Sequence, residues 1–97
     1  KISKEMIVEK MCHNPAILFN VKERGYIREG YFADLVLVQP KAQLVKKEEL
    51  LYKCGWSPFE NHTFNYRIHT TFINGVPVYE NVILHSNPNG QRVEFER

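Results

Sequence analysis

Apolar residues Ile7, Val8, Met11 and Cys12 fall at i, i+1, i+4 and i+5 near the start of the chain, with Lys4, Glu5, Glu9 and Lys10 opposite them. That spacing is the stripe of an amphipathic helix. Ser3 stands where an N-cap belongs, and Glu5 in the first turn suits the positive helix end. Asn14-Pro15 then interrupts the stripe. Proline cannot continue the hydrogen-bond ladder, but it fits the first position of a new helix, with Asn14 as cap. The pattern predicts a helix over 3–13, a bend, and a short helix over 15–19 presenting Ile17, Leu18 and Phe19.

Beyond Asn20 the period changes. Gly25 and Gly30 bracket Tyr26 to Glu29, a short strand or extended turn. Residues 30–33 read as a turn whose backbone N–H groups Asp34 can accept. Leu35 to Val38 is an unbroken aliphatic run, the pattern of a strand buried on both faces, and Pro40 ends it. Leu44-Val45 suggests a further strand, Lys47 to Tyr52 a helical turn, and 54–64 a loop anchored by Trp56 and Phe59. Ile68, Thr70 and Phe72 alternate with Arg67, His69 and Thr71, and Asn74-Gly75 follows. This is a strand and a two-residue hairpin turn, with Val76, Val78 and Tyr79 returning. Pro77 places the return strand at a sheet edge or at a position whose N–H is not needed. Asn87 to Gly90 reads as another turn before a last strand, Arg92 to Phe95.

Ninety-seven residues make one domain, and 43% hydrophobic residues with twelve aromatics exclude a disordered tail. A net charge of +2 is too small to imply a polyanionic partner. Tyr66, Arg67 and Phe72 mix aromatic with basic character, but they match no RNA-binding signature, and the aromatics are expected in the core. No apolar run reaches the ~20 residues that cross a bilayer, and no signal peptide is visible. Two cysteines in no paired spacing, Cys12 and Cys54, read as free structural thiols in a reducing compartment, Cys54 as a small buried one. The chain opens at Lys1 and enters a helix at once, like the interior of a longer protein.

Candidate chemistry is sparse. His13, His62, His69 and His85 form no HxH, HExxH or finger spacing. Ser57 lies before Pro58, outside any nucleophile elbow. Asp34 is the only aspartate and reads as a turn acceptor, while Glu48 and Glu49 sit in a charged surface run. Gly30 and Gly75 supply backbone freedom at turns.

Four stretches carry a family resemblance in the correct order. "HNPAILFNV" resembles the helix end of the cyclic amidohydrolases in the amidohydrolase superfamily, with Asn20 at the usual glycine. "RGYIREGYFADLVLVQP" resembles their glycine, alanine-aspartate and aliphatic-run pattern. "KCGWSPFEN" resembles their Ser-Pro-Phe-Glu-Gly loop, with Asn61 for the glycine, and "IHTTFINGVPVYEN" their closing hairpin. "EKMCHNPA" and "YKCGWSPFE" lean towards the dihydroorotase branch. The resemblance implies a parent enzyme with a zinc-bearing (β/α)₈ barrel, whose ligands are histidines, a carboxylated lysine and an aspartate at barrel strand ends. It implies a small-molecule cyclic amide as substrate and a cytoplasmic location, with neither nucleic acid nor membrane as partner.

None of those ligand positions falls in these 97 residues, so no catalytic, cofactor-binding or metal residue is assigned here. The expected fold is α+β and mainly β. Residues 1–20 would be terminal helices of the barrel region, and 21–97 a small C-terminal sheet or sandwich. In the family that β-domain is composite, so Leu35 to Val38 would pair with residues absent here, and an uncovered edge would invite self-association. The alternatives are a fragment of another cyclic amidohydrolase, a hydantoinase or allantoinase, or a stand-alone β interaction module.

Overall fold

The computed structural model describes residues 2–85 and 89–96. Helix α1 spans Lys4–Val8, and the Ser3 hydroxyl accepts the Met6 N–H at 3.1 Å, as the capping signal predicts. The helix does not break before Pro15. Glu9–His13 continues it as a widened, π-type turn, and α2 follows over Asn14–Leu18. Val8, His13 and Asn14 stay right-handed at φ −62°, −68° and −62°, and the Asn14 N–H bonds the Glu9 carbonyl five residues back. A proline ring clashes with the carbonyl four residues before it. An extra residue in the preceding turn relieves that clash, so the expected bend and Asn14 cap are replaced by one irregular helix. Its end is sharper. Asn20 takes φ +55°, its N–H bonds Ile17 O at 3.2 Å, and the Val21 N–H bonds Ala16 O at 2.8 Å. These two bonds are the pair of a Schellman cap.

Six strands follow: β1 (Leu35–Gln39), β2 (Gln43–Leu44), β3 (Thr63–Phe64), β4 (Arg67–Ile73), β5 (Val76–Glu80) and β6 (Ile83–Leu84). A short 3₁₀ turn covers Lys47–Glu49. One antiparallel sheet has the order β1-β4-β5-β6, and β2 pairs with β3 in a second. Leu35 faces Phe72 and Leu37 faces Thr70, then the register slips before Val38 meets Ile68. Asn74 and Gly75 turn the β4–β5 hairpin at φ +50° and +80°. Pro77 sits at a second register slip, and β6 pairs only with Tyr79 and Glu80, so no ladder bond is asked of it on that side.

Residues 26–29 form no strand. The expected strand over 92–95 reduces to one bridge between Val21 and Phe95, held by Lys22 N–H to Glu94 O and Glu96 N–H to Asn20 O, each 2.8 Å. Part of the turn expected over 87–90 lies outside the described residues.

The core is very small. Among the described residues only Ala16 and Thr70 are buried, Thr70 at 2% exposure. Val36, Leu37 and Val38 are 52%, 51% and 59% exposed, so the strand expected to be covered on both faces is open on both. β1 is also the edge of its sheet. The accessible surface is 8312 Å², whereas a folded monomer of this mass has about 5,800 Å². The radius of gyration is 15.4 Å, against about 12.5 Å for a compact chain of this length. The elements are those of a mainly-β domain, but the layer that would cover them is not supplied by these residues.

Candidate functional site

The densest polar cluster centres on Asp34. It begins with Arg24, in the loop after α2, whose guanidinium lies 4.2 Å from the Phe32 ring centre. Its Nη1 pairs with Asp34 Oδ2, and its Nη2 donates to the Gln91 carbonyl at 3.1 Å. Asp34 Oδ1 accepts the Asn74 N–H at 2.8 Å. Alongside, the Gly75 N–H donates to Ala33 O at 3.0 Å, and Asn89 Nδ2 donates to Ile73 O at 2.7 Å. The knot ties the helix-exit loop, the mouth of β1, the β4–β5 turn and the C-terminal segment.

Asp34 was expected to accept from its own turn. It accepts instead from a turn forty residues away, because Arg24 holds the carboxylate towards the hairpin. Both oxygens are engaged, by a cation and a backbone donor, which suits anchoring rather than proton transfer. Arg24 and Asn89 escaped the reading of the sequence, since neither lies in a motif that marks an ion pair or a side-chain tie.

The histidines are dispersed. His13 stacks on Tyr26 with ring centres 4.1 Å apart, and the Arg28 guanidinium lies 4.0 Å from the same tyrosine ring. His62 meets Phe64 edge-on at 4.6 Å, His69 Nδ1 lies 2.7 Å from Thr70 Oγ1, and His85 Nε2 is 3.8 Å from Glu80. Among the described residues no three His, Cys, Asp or Glu converge on a point where a metal ion could sit. These residues therefore do not fit the zinc that the resemblance implies for the parent.

Cys12 and Cys54 are free but exposed, not buried as their type suggests, because little covers either the helix or the loop. Cys54 Sγ donates to Trp56 O at 3.7 Å. Phe59 does anchor its loop, lying edge-on to Phe64 at 5.7 Å, and Ser57 Oγ accepts the Phe59 N–H at 3.1 Å. Trp56 shows no such ring contact among the described residues, and both side chains are exposed, Phe59 at 55% and Trp56 at 61%. Glu48 and Glu49 lie exposed in the 3₁₀ turn. Tyr66 is exposed, Arg67 donates to Asn81 Oδ1, and Phe72 is half-buried opposite Leu35. These three form no continuous stacking platform.

The amidohydrolase family model matches residues 1–78. The chain belongs to the amidohydrolase family. It is similar to a dihydroorotase of Pyrococcus abyssi, 35% identical over 91 residues, which cover 93% of this chain and 22% of that one. A Clostridium acetobutylicum dihydroorotase is 40% identical over 75 residues, 76% of this chain and 18% of that one. An allantoinase of Bacillus velezensis is 39% identical over 76 residues, 78% and 17% respectively. This amidohydrolase chain therefore spans about a fifth of the length of the curated relatives it matches. Their names describe hydrolases acting on cyclic amides, a chemistry that needs far more than the Asp34 knot offers.

Proposed function

We propose that the chain is a noncatalytic C-terminal part of a zinc-dependent dihydroorotase. The whole enzyme would interconvert N-carbamoyl-aspartate and dihydroorotate in the cytoplasm, for pyrimidine synthesis. The observation that carries this reading is the family match across most of a chain that spans 22% of its relatives. In the whole enzyme a barrel would hold the metal, and bound zinc would polarise a ring carbonyl and activate water. Residues 1–20 would close the barrel region, and 21–97 would form the flanking β-domain. The open faces of β1 and the apolar cleft of about 900 Å³ lined by Ile2, Ile7, Val8, Val38, Pro40 and Tyr66 support this reading, since both await a cover. Asp34 and Arg24 would keep that surface in one geometry.

A second reading keeps the family and changes the substrate. Allantoinases match at comparable identity, and on this reading the residues that choose a ring would lie upstream of this chain. The test is turnover by the full-length protein with dihydroorotate and with allantoin, beside the 97-residue chain alone. The proposal expects dihydroorotate turnover and zinc in the full-length protein, and neither in the short chain. Allantoin turnover would favour the second reading. Stoichiometric zinc on the short chain would overturn its noncatalytic role.

A further inference from the structure

Two Asn-Gly pairs occur, Asn74-Gly75 and Asn89-Gly90. Such pairs undergo a spontaneous reaction. The following backbone nitrogen, having lost its proton to base, attacks the asparagine Cγ. A C–N bond forms, the side-chain nitrogen leaves as ammonia, and a succinimide results. Water then opens either of its carbonyls, giving aspartate or isoaspartate. Glycine favours the attack because no side chain blocks the approach. The reaction also needs a backbone nitrogen that is free to move and to lose its proton.

The fold treats the two pairs differently. At the hairpin, the Gly75 N–H is held by Ala33 O at 3.0 Å and the Asn74 N–H by Asp34 Oδ1 at 2.8 Å. The flanking residues are locked in the β4–β5 ladder, with Ile73 opposite Val76. At the second pair, Gly90 is exposed, a Cβ built on it meets nothing within 4 Å, and among the described residues no hydrogen bond holds its N–H. Asn89 Nδ2 donates to Ile73 O, but Asn89 Oδ1 is buried without a partner.

We propose that Asn89-Gly90 is a site of spontaneous succinimide formation, ageing to aspartate or isoaspartate, and that the hairpin protects Asn74-Gly75 from the same reaction. The departing nitrogen is the one that donates to Ile73 O. Its loss leaves two acceptors facing each other and releases one tie between the C-terminal segment and the hairpin. The modification therefore acts on the strap that also carries Gln91 and Arg24.

The experiment is a time course of the protein in mildly alkaline buffer, with peptide mapping and isoaspartate detection, run folded and in urea. In urea the two sites should convert at comparable rates. In the folded protein Asn89 should convert at least about tenfold faster than Asn74, the ratio expected when one site must first open locally. Equal rates in the folded protein, or faster loss at Asn74, would overturn the proposal. Gly90→Ala has room for its methyl group and should slow conversion at Asn89 without changing Asn74. The variant keeps the residue-90 nitrogen but hinders its approach, so an unchanged rate at Asn89 would mean that the amide is lost by another route and would overturn the proposal.

Discussion

Asn20, Asn61, Asn74 and Asn81 all take positive φ, at +55°, +67°, +50° and +46°. Asparagine tolerates the left-handed region better than most residues because its short amide can bond locally. Asn20 and Asn61 stand where the resemblance noted in the sequence expects glycine, and both take a φ that glycine adopts readily. Val82 is different. It sits beside Asn81 in the two-residue turn between β5 and β6 at φ +72°, where a β-branched side chain is strained. Val82→Gly should raise stability by about 1 kcal/mol, read as a higher urea midpoint. Asp34→Ala should act in the opposite sense. It strands the Asn74 N–H and the Arg24 guanidinium, at a cost of about 1 to 3 kcal/mol. An unmoved midpoint would show that the knot is only solvated surface.

The irregular helix depends on one close approach. A Cβ on Gly25 would lie 2.6 Å from Ala16 Cβ and 2.8 Å from the Cys12 carbonyl, at φ +86°. Gly25 thus lets the loop pass against the widened turn, and it seats Ala16, one of the two buried residues. Gly25→Ala should cost about 2 to 4 kcal/mol, from backbone strain and overpacking together. Amide exchange should then rise across 16–25 before it rises in β4. Much of this element plan could be read in advance: Ser3 as cap, the β1 run, the Asn74-Gly75 turn and β4 as a strand, although burial along β4 does not alternate, Ile68 being exposed and Arg67 and His69 half-buried. The π-type turn could not, because a proline after an amphipathic stripe signals a break equally well. The β5–β6 turn was hidden for a similar reason, since Asn81-Val82 lacks the glycine that marks such turns.

Taken together, the described residues expose roughly 2,500 Å² more surface than a compact protein of this mass would. That excess is within the range of obligate interfaces. The 97-residue chain by itself should bind a hydrophobic dye strongly and unfold over a broad denaturant range, while the same residues within the full-length protein should do neither. Val36→Lys, on the open edge strand, should suppress aggregation of the short chain by charging an unpaired edge. If the short chain unfolds sharply and excludes the dye, its surface needs no cover and the proposed place in a larger enzyme fails.

The sequence by itself determined the local plan and the family, because caps, turn residues and apolar period act over a few neighbours and survive without a core. It also made Leu35 to Val38 a strand that must be covered. Only the tertiary structure decided that Asp34 serves a turn forty residues away through Arg24, and that this chain leaves β1 open. Both depend on which distant segments meet, and no short-range pattern encodes that.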